Sequence, residues 1–291
     1  MNNFRLKGIF SGTSLFMRIF SFLFLLAFGL TLSVPVVIVA GYVFGKDSYA
    51  FLQFSQASTS LFVFVFPVAA YLWLFFPQQG EVWFSLKRKA SWQQIVLSVL
   101  LVLVSIPFLN WLTAWNEGLS LPSSLSELQE WMRLCEDEAS ALTERFLSVN
   151  SVGGLLLNLL SVALIPAVCE ELFFRGFLQN IFSERMSAHA AVWLSAFLFS
   201  FIHFQFFGFF PRLLLGVAFG YLYFSTGSLW MPVLAHFVNN ALVVAATVLC
   251  NWGAVPAGFD SFGTDSFILI MLSALLALNI IVFLWRKRAV V

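Results

Sequence analysis

The chain alternates between long apolar stretches and short segments that carry its charges. A helix that crosses a bilayer needs about 20 apolar residues, and several stretches without Asp, Glu, Lys or Arg reach or exceed this length. The longest uncharged stretch, residues 213–259, is interrupted by the turn sequence Ser-Thr-Gly-Ser at 225–228. This pattern predicts eight transmembrane helices, at residues 19–45, 50–76, 91–114, 152–180, 188–207, 212–225, 229–250 and 266–286.

The composition supports a membrane protein. Of the 291 residues, 60% are hydrophobic and only 10% are charged, whereas soluble domains carry about 25% charged residues. The net charge of +1 argues against a nucleic-acid partner, which would require a basic face. We therefore expect an all-α polytopic bundle in which residues 1–291 form a single membrane domain.

The distribution of Lys and Arg predicts the orientation of the bundle, because cytoplasmic loops are enriched in both. With the N-terminus inside, the cytoplasmic segments contain Arg5, Lys7, Lys87, Arg88, Lys89, Arg185, Arg286, Lys287 and Arg288. The opposite side contains only Lys46, Arg133, Arg145 and Arg212. We expect both termini in the cytoplasm and the protein in a plasma membrane, most simply a bacterial one.

Residues 123–147 form the one sizeable segment between the predicted spans. Apolar residues recur there at helical spacing, among them Leu128, Trp131 and Leu142, with acidic residues on the other face. The pattern predicts an amphipathic helix that either lies at the outer membrane interface or is a solvated loop helix. The sequence does not indicate its role.

Three ionisable residues interrupt the fourth predicted span. Such groups cost free energy in a membrane and usually face the bundle interior with a partner. Glu171 and Arg175 are four residues apart, so they share a helix face and can pair. Glu170 lies about 100° around the helix from Glu171. Its carboxylate is therefore free to face the bundle interior, and we expect it to be the group that takes part in the chemistry. The alternative is that all three lie at a cytoplasmic helix end.

Two of the three histidines lie within apolar helices. His203 has Phe199 one turn before it, and His236 has Asn240 one turn after it. The fourth and fifth helices turn around residues 183–187, and residues equidistant from a hairpin turn face each other. Glu170 and His203 are nearly equidistant from that turn, so we expect them to lie opposite one another.

One carboxylate, two imidazoles and one carboxamide allow two kinds of chemistry. Glu170, His203, His236 and Asn240 offer ligands that suit a divalent ion such as Zn²⁺. Alternatively, the buried carboxylate can act as a general base on water, with His236 and Asn240 stabilising a developing oxyanion. Either arrangement predicts hydrolysis of a carbonyl substrate inside a membrane.

These residues form three motifs that resemble those of the CPBP family of intramembrane proteases, which includes the type II CAAX prenyl endopeptidases and bacteriocin-processing proteins. The motifs are EExxxR at residues 170–175, FxxxH at residues 199–203 and HxxxN at residues 236–240. They occur in the order of the family and on successive predicted helices. The resemblance covers a catalytic core of about residues 150–250.

The resemblance implies a membrane-embedded metalloprotease that cleaves a lipidated or prenylated peptide. It assigns water activation to the residues that match Glu170 and His203, with Glu171 and Arg175 completing the first motif. It implies that the residues matching His236 and Asn240 stabilise the oxyanion or help to hold a metal, with zinc expected. Membrane lipid and a membrane-bound peptide are the implied partners.

Two other functions stay open on the sequence. A non-catalytic protein of the same fold would act as a membrane scaffold, or in bacteriocin self-immunity or envelope resistance. A transporter would use Glu170 and the histidines as a proton or ion relay.

Overall fold

The regular structure of the protein is helical throughout the residues that its computed structural model describes, which are 8, 10, 12–76 and 88–287. Within them the helices are α1 (Leu15–Phe44), α2 (Tyr49–Phe75), α3 (Trp92–Glu117), α4 (Ser126–Leu147), α5 (Val152–Ser183), α6 (Ala188–Phe201), α7 (Phe209–Thr226), α8 (Trp230–Asn251) and α9 (Phe267–Arg286). The predicted all-α fold is confirmed. Four of the basic residues used to predict the orientation lie outside the described ranges, namely Arg5, Lys7, Lys87 and Arg288.

Seven segments of the described chain are long and apolar enough to cross a membrane, and they correspond to all of the predicted spans except the fifth. The predicted C-terminal boundary of that span, residue 207, is wrong. Helix α6 has 14 residues and stops at Phe201, and residues 202–208 form a turn that ends in the short 3₁₀ helix Phe206–Gly208. Phe204 has a φ of 53°, a left-handed conformation that a continuing helix excludes. His203 therefore lies in a turn rather than in a helix.

Helix α5 is wound unevenly along its length. Wide π-helical turns at Leu159–Leu164 and Leu172–Leu178 alternate with ordinary α-helical segments. Such π turns are rare in proteins and occur often at functional sites. Glu170 and Glu171 are the last residues of the α-helical segment that precedes the second π turn, so the two carboxylates lie where the helix changes its winding.

A polar network joins α5 to α2. Tyr49 Oη and Gln53 Nε2 both donate to Asn158 Oδ1, at 2.7 and 2.8 Å. The Asn158 amide in turn donates to the carbonyl oxygen of Phe146 at 2.6 Å, and the Ser161 hydroxyl donates to Gln53 Oε1. A satisfied polar network in apolar surroundings favours one arrangement of its members. This network fixes the register of α5, the helix that carries both glutamates.

Helices α6 and α7 approach each other closely through two glycines of α7. A Cβ atom on Gly216 would lie 3.1 Å from Ala196 Cβ. A Cβ atom on Gly220 would lie 2.9 Å from both Val192 Cγ1 and Gln179 Oε1. Small residues at a helix contact allow backbones to approach in this way, and here they bring α7 against both α6 and the end of α5.

Helix α4 lies across the turn at 202–208. The ring of Trp131 is 5.5 Å from that of Phe206 and 6.3 Å from that of Phe204. Glu136 Oε2 accepts a hydrogen bond from the backbone N–H of Phe207 at 3.1 Å. The segment predicted as an amphipathic helix is thus helical from Ser126, and it covers the turn that carries His203.

The glycine contact gives a test of the packing. We expect Gly220→Ala to destabilise the folded protein by about 1–3 kcal/mol, the usual effect of overpacking. Gly153→Ala is the matched control, because nothing lies within 4 Å of a Cβ atom at that position and alanine favours a helix. Thermal unfolding in detergent compares the two. Equal melting temperatures would contradict the close approach of α6 and α7.

Candidate active site

The buried ion pair of Glu171 and Arg175 forms the base of the site. Arg175 Nη1 lies 2.7 Å from Glu171 Oε1, and both side chains are fully buried. Arg175 Nη2 also donates to the carbonyl oxygen of Gly216 at 2.9 Å, and the guanidinium lies 4.7 Å from the centre of the Phe199 ring. The pair therefore links α5 to α7 and supports the phenylalanine of the second motif.

The same carboxylate orients His236. The imidazole Nδ1 of His236 is 2.8 Å from Glu171 Oε1, and because an ionised carboxylate only accepts hydrogen bonds, Nδ1 carries the proton. The ring stacks on Phe219 with a centroid distance of 5.3 Å. In the neutral imidazole, Nε2 is then an unprotonated acceptor, and it lies 3.9 Å from Glu170 Oε2.

His203 is oriented by a backbone carbonyl. Its Nδ1 is 2.6 Å from the carbonyl oxygen of Phe199, which can only accept, so Nδ1 again carries the proton. Its Nε2 lies 4.0 Å from Glu170 Oε2. The structure therefore brings Glu170 and His203 together, as their similar distances from the hairpin turn predict, although His203 lies in a turn rather than in a helix.

Glu170 is thus faced by two imidazole nitrogens whose hydrogens point elsewhere. With both rings neutral and the carboxylate ionised, the three groups are all acceptors, separated by gaps of 3.9 and 4.0 Å. No hydrogen bond can form directly between acceptors. A water molecule that donates to two of them, or a cation that receives lone pairs from all three, would satisfy this arrangement.

The three acceptors line a cavity of about 580 Å³ that also contains Asn240. Asn240 lies one helical turn after His236, and its Oδ1 is 3.3 Å from Asn239 Nδ2. All four residues offered by the sequence as metal ligands therefore border one cavity. Glu171 and Arg175, by contrast, lie behind it and act on it through His236 and Phe199.

The cavity also has polar lining residues that the sequence did not reveal: Gln56, Thr113, Arg212 and Asn239. Arg212 is the most consequential, because the sequence indicated it only as a charge of the outer side, at the start of the sixth predicted helix. The signal was present, since Arg212 is an isolated cation between the uncharged stretches 186–211 and 213–259.

The donor types around Glu170 suit a zinc-like ion. Metal-bound histidines commonly donate their second N–H to a carboxylate or a backbone carbonyl, as His236 and His203 do here. Two ligands on a tetrahedral zinc ion are about 3.4 Å apart, a little less than the separations from Glu170. Within the described ranges, no group of three His, Cys, Asp or Glu side chains has the spacing of a formed metal site. The donors fit the ion chemically, and binding it would require them to move together slightly.

Fold and cavity together define a multi-pass membrane protein with a polar site enclosed by apolar helices. Residues 152–242 match the family described as type II CAAX prenyl endopeptidase Rce1-like. The matched segment contains Glu170, Glu171, Arg175, His203, His236 and Asn240. The match confirms the resemblance of the three motifs to this group of proteases, and such a resemblance implies a hydrolase.

The chain is also similar to a curated bacterial protein. It is 22% identical over 185 residues to the uncharacterized protein YpbD of Bacillus subtilis (strain 168), an alignment that covers 61% of this chain and 81% of that protein. No solved structure gives a significant match to the chain.

The buried pair gives a second test. We expect Arg175→Met to destabilise the protein by about 3–5 kcal/mol, because it leaves the Glu171 carboxylate buried without its cation. Arg145→Met is the control: it removes an exposed arginine of α4, and such surface changes usually stay within about 0.5 kcal/mol. Unfolding in detergent measures both. Similar losses of stability in the two variants would show that the pair does not hold α5 in place.

Proposed function

We propose that this protein is an intramembrane endopeptidase that hydrolyses a peptide bond of a membrane-associated or lipidated substrate. The observation that carries the proposal is the convergence of Glu170, His203 and His236 on one polar cavity inside an apolar bundle. The match of residues 152–242 to a family of prenyl endopeptidases supports the peptide bond as the reacting group.

In the proposed reaction Glu170 and His203 bind and activate a water molecule. The Glu170 carboxylate accepts a proton as the water oxygen attacks the carbonyl carbon of the scissile bond. The carbon–nitrogen bond then breaks, and Glu170 returns the proton to the amine that leaves. One water is consumed, and the products are a carboxylic acid and an amine.

His236 and Asn240 have different parts in this proposal. The amide N–H of Asn240 can donate to the oxygen of the attacked carbonyl, where negative charge develops. His236 donates its Nδ1 proton to Glu171. Its Nε2 can therefore donate a lone pair to a metal or accept a hydrogen bond from water. If a zinc-like ion binds, Glu170, His203 and His236 would hold it with Asn240 as a fourth ligand, and the ion would polarise the carbonyl.

The location of the protein forms part of the same proposal. The apolar helices are those of an integral multi-pass membrane protein. We propose that both termini are cytoplasmic, from the distribution of Lys and Arg, and that the membrane is a bacterial plasma membrane. Bilayer lipid and a peptide anchored in it are the expected partners.

The catalytic roles predict a loss of activity without a loss of fold. Glu170→Gln and His203→Ala should each lower the rate of peptide cleavage by about 10²–10⁴-fold, the usual contribution of general acid–base catalysis. His189→Ala is the matched control, because His189 bonds Tyr221 outside this cavity. The assay uses a quenched fluorogenic peptide panel and the purified, folded protein in detergent or nanodiscs. Full activity in either site variant would disprove the proposal.

Metal binding is tested separately from activity. We expect about one equivalent of zinc-like metal per chain in the purified wild-type protein, and much less in a Glu170→Ala/His203→Ala double variant, since two of the donors are gone. Elemental analysis after dialysis against metal-free buffer measures both. Equal metal content in the two proteins would place any bound ion elsewhere, and the water-activating roles would then stand without a metal.

A further inference from the structure

Arg212 is a cation on the wall of the catalytic cavity, in the first turn of α7. The space for its guanidinium is provided by Gly208, where an added Cβ would lie 3.2 Å from Nη2. Arg212 is partly buried, so its charge is less hydrated than that of a surface arginine. The residue lies outside the three motifs, and none of the roles described above uses it.

The hydrogen bonds of Arg212 go to a neutral partner. Nη1 donates to the carbonyl oxygen of Gln205 at 3.2 Å, and Nη2 donates to Gln205 Oε1 at 2.8 Å. Within the described ranges no carboxylate pairs with it, and Glu136 and Glu170 act on it only as charges at longer range. A guanidinium has five N–H donors. Arg175, in the same protein, is by contrast paired directly with Glu171.

Gln205, the partner of Arg212, borders a second cavity. This larger cavity, of about 990 Å³, is also lined by Thr143, Asn150, Asn251 and the acidic residues Glu144 and Asp260. Val243 borders both this cavity and the one that contains Glu170. The two cavities therefore share Val243 as a wall, and Gln205 and Arg212 border one cavity each.

We propose that Arg212 binds a carboxylate of the peptide substrate and so selects where the peptide is cut. The proposal rests on the function proposed above and adds a specificity-determining residue to it. A planar guanidinium matches a carboxylate with two parallel hydrogen bonds. The carboxylate is either the free C-terminus of the peptide or an acidic side chain close to the scissile bond, because both present the same group.

The test compares three forms of one quenched fluorogenic peptide with the wild-type protein, Arg212→Met and Arg212→Lys. The forms carry a free C-terminal carboxylate, a C-terminal amide, or a C-terminal amide with Glu as the last residue. Hydrogen bonds to a charged group are strong enough to predict a KM about tenfold lower for the preferred carboxylate than for the plain amide. Arg212→Met should remove this preference and Arg212→Lys should retain part of it, while the exposed-arginine control Arg145→Met should keep all of it.

The ranking of the peptides shows which carboxylate binds. A preference for the free acid alone identifies the C-terminus, and an equal preference for the Glu-terminated amide identifies any nearby acidic group. Two results would overturn the proposal. One is a wild-type protein that does not distinguish the peptides. The other is an Arg212→Met variant in which kcat falls for all three peptides while their ranking stays, since Arg212 would then act on the reacting atoms.

Binding separates this proposal from the proposed function. Fluorescence anisotropy of the labelled peptides with the Glu170→Ala protein, and with the same protein carrying Arg212→Met, reports the carboxylate preference without cleavage. A preference in binding that depends on Arg212, with no cleavage by the wild-type protein, would support the site and refute the peptidase. Cleavage by the wild-type protein without any Arg212-dependent preference would support the peptidase and refute the carboxylate site at Arg212.

Discussion

The ion pair between Glu171 and Arg175 is the interaction on which the rest of the site depends. Two charges with no exposed surface carry a large desolvation cost, which is offset only when both are well paired and hydrogen-bonded. Glu171 accepts from Arg175 and His236 through Oε1, and Arg175 donates to the backbone of α7, whereas Glu171 Oε2 and Arg175 Nε are buried with no hydrogen-bond partner. The pair therefore fixes α5, α7 and α8 relative to one another, and it leaves the neighbouring Glu170 exposed to the cavity.

Much of this arrangement follows from the sequence, because the signals are local. Long apolar runs predict the spans, and a carboxylate and a guanidinium four residues apart predict their pairing on one helix face. The opposition of Glu170 and His203 follows from counting residues to a short hairpin turn. In each case a single helix or a single hairpin contains the information.

The turn that carries His203 could not be predicted in the same way. Residues 201–210 are almost all apolar, and in a chain surrounded by lipid such a run is typical of a helix. The turn forms because tertiary contacts stabilise it: Trp131 and Glu136 of α4 contact its rings and its backbone. These contacts join residues that are some 70 positions apart, so no local pattern reveals them. The position of Arg212 at the cavity escaped prediction for the same reason.

The shortness of α6 has a consequence for the supply of water. Its 14 residues span about 21 Å at 1.5 Å per residue, whereas the hydrocarbon layer of a bilayer is about 30 Å thick. Lipid beside a helix this short has to thin locally, or leave hydrated headgroups at the depth of one of its ends. The proposed hydrolysis consumes one water for every bond that is cut. At the turn that carries His203, such a mismatch would bring the aqueous phase towards the cavity, where the proposed hydrolysis would use it.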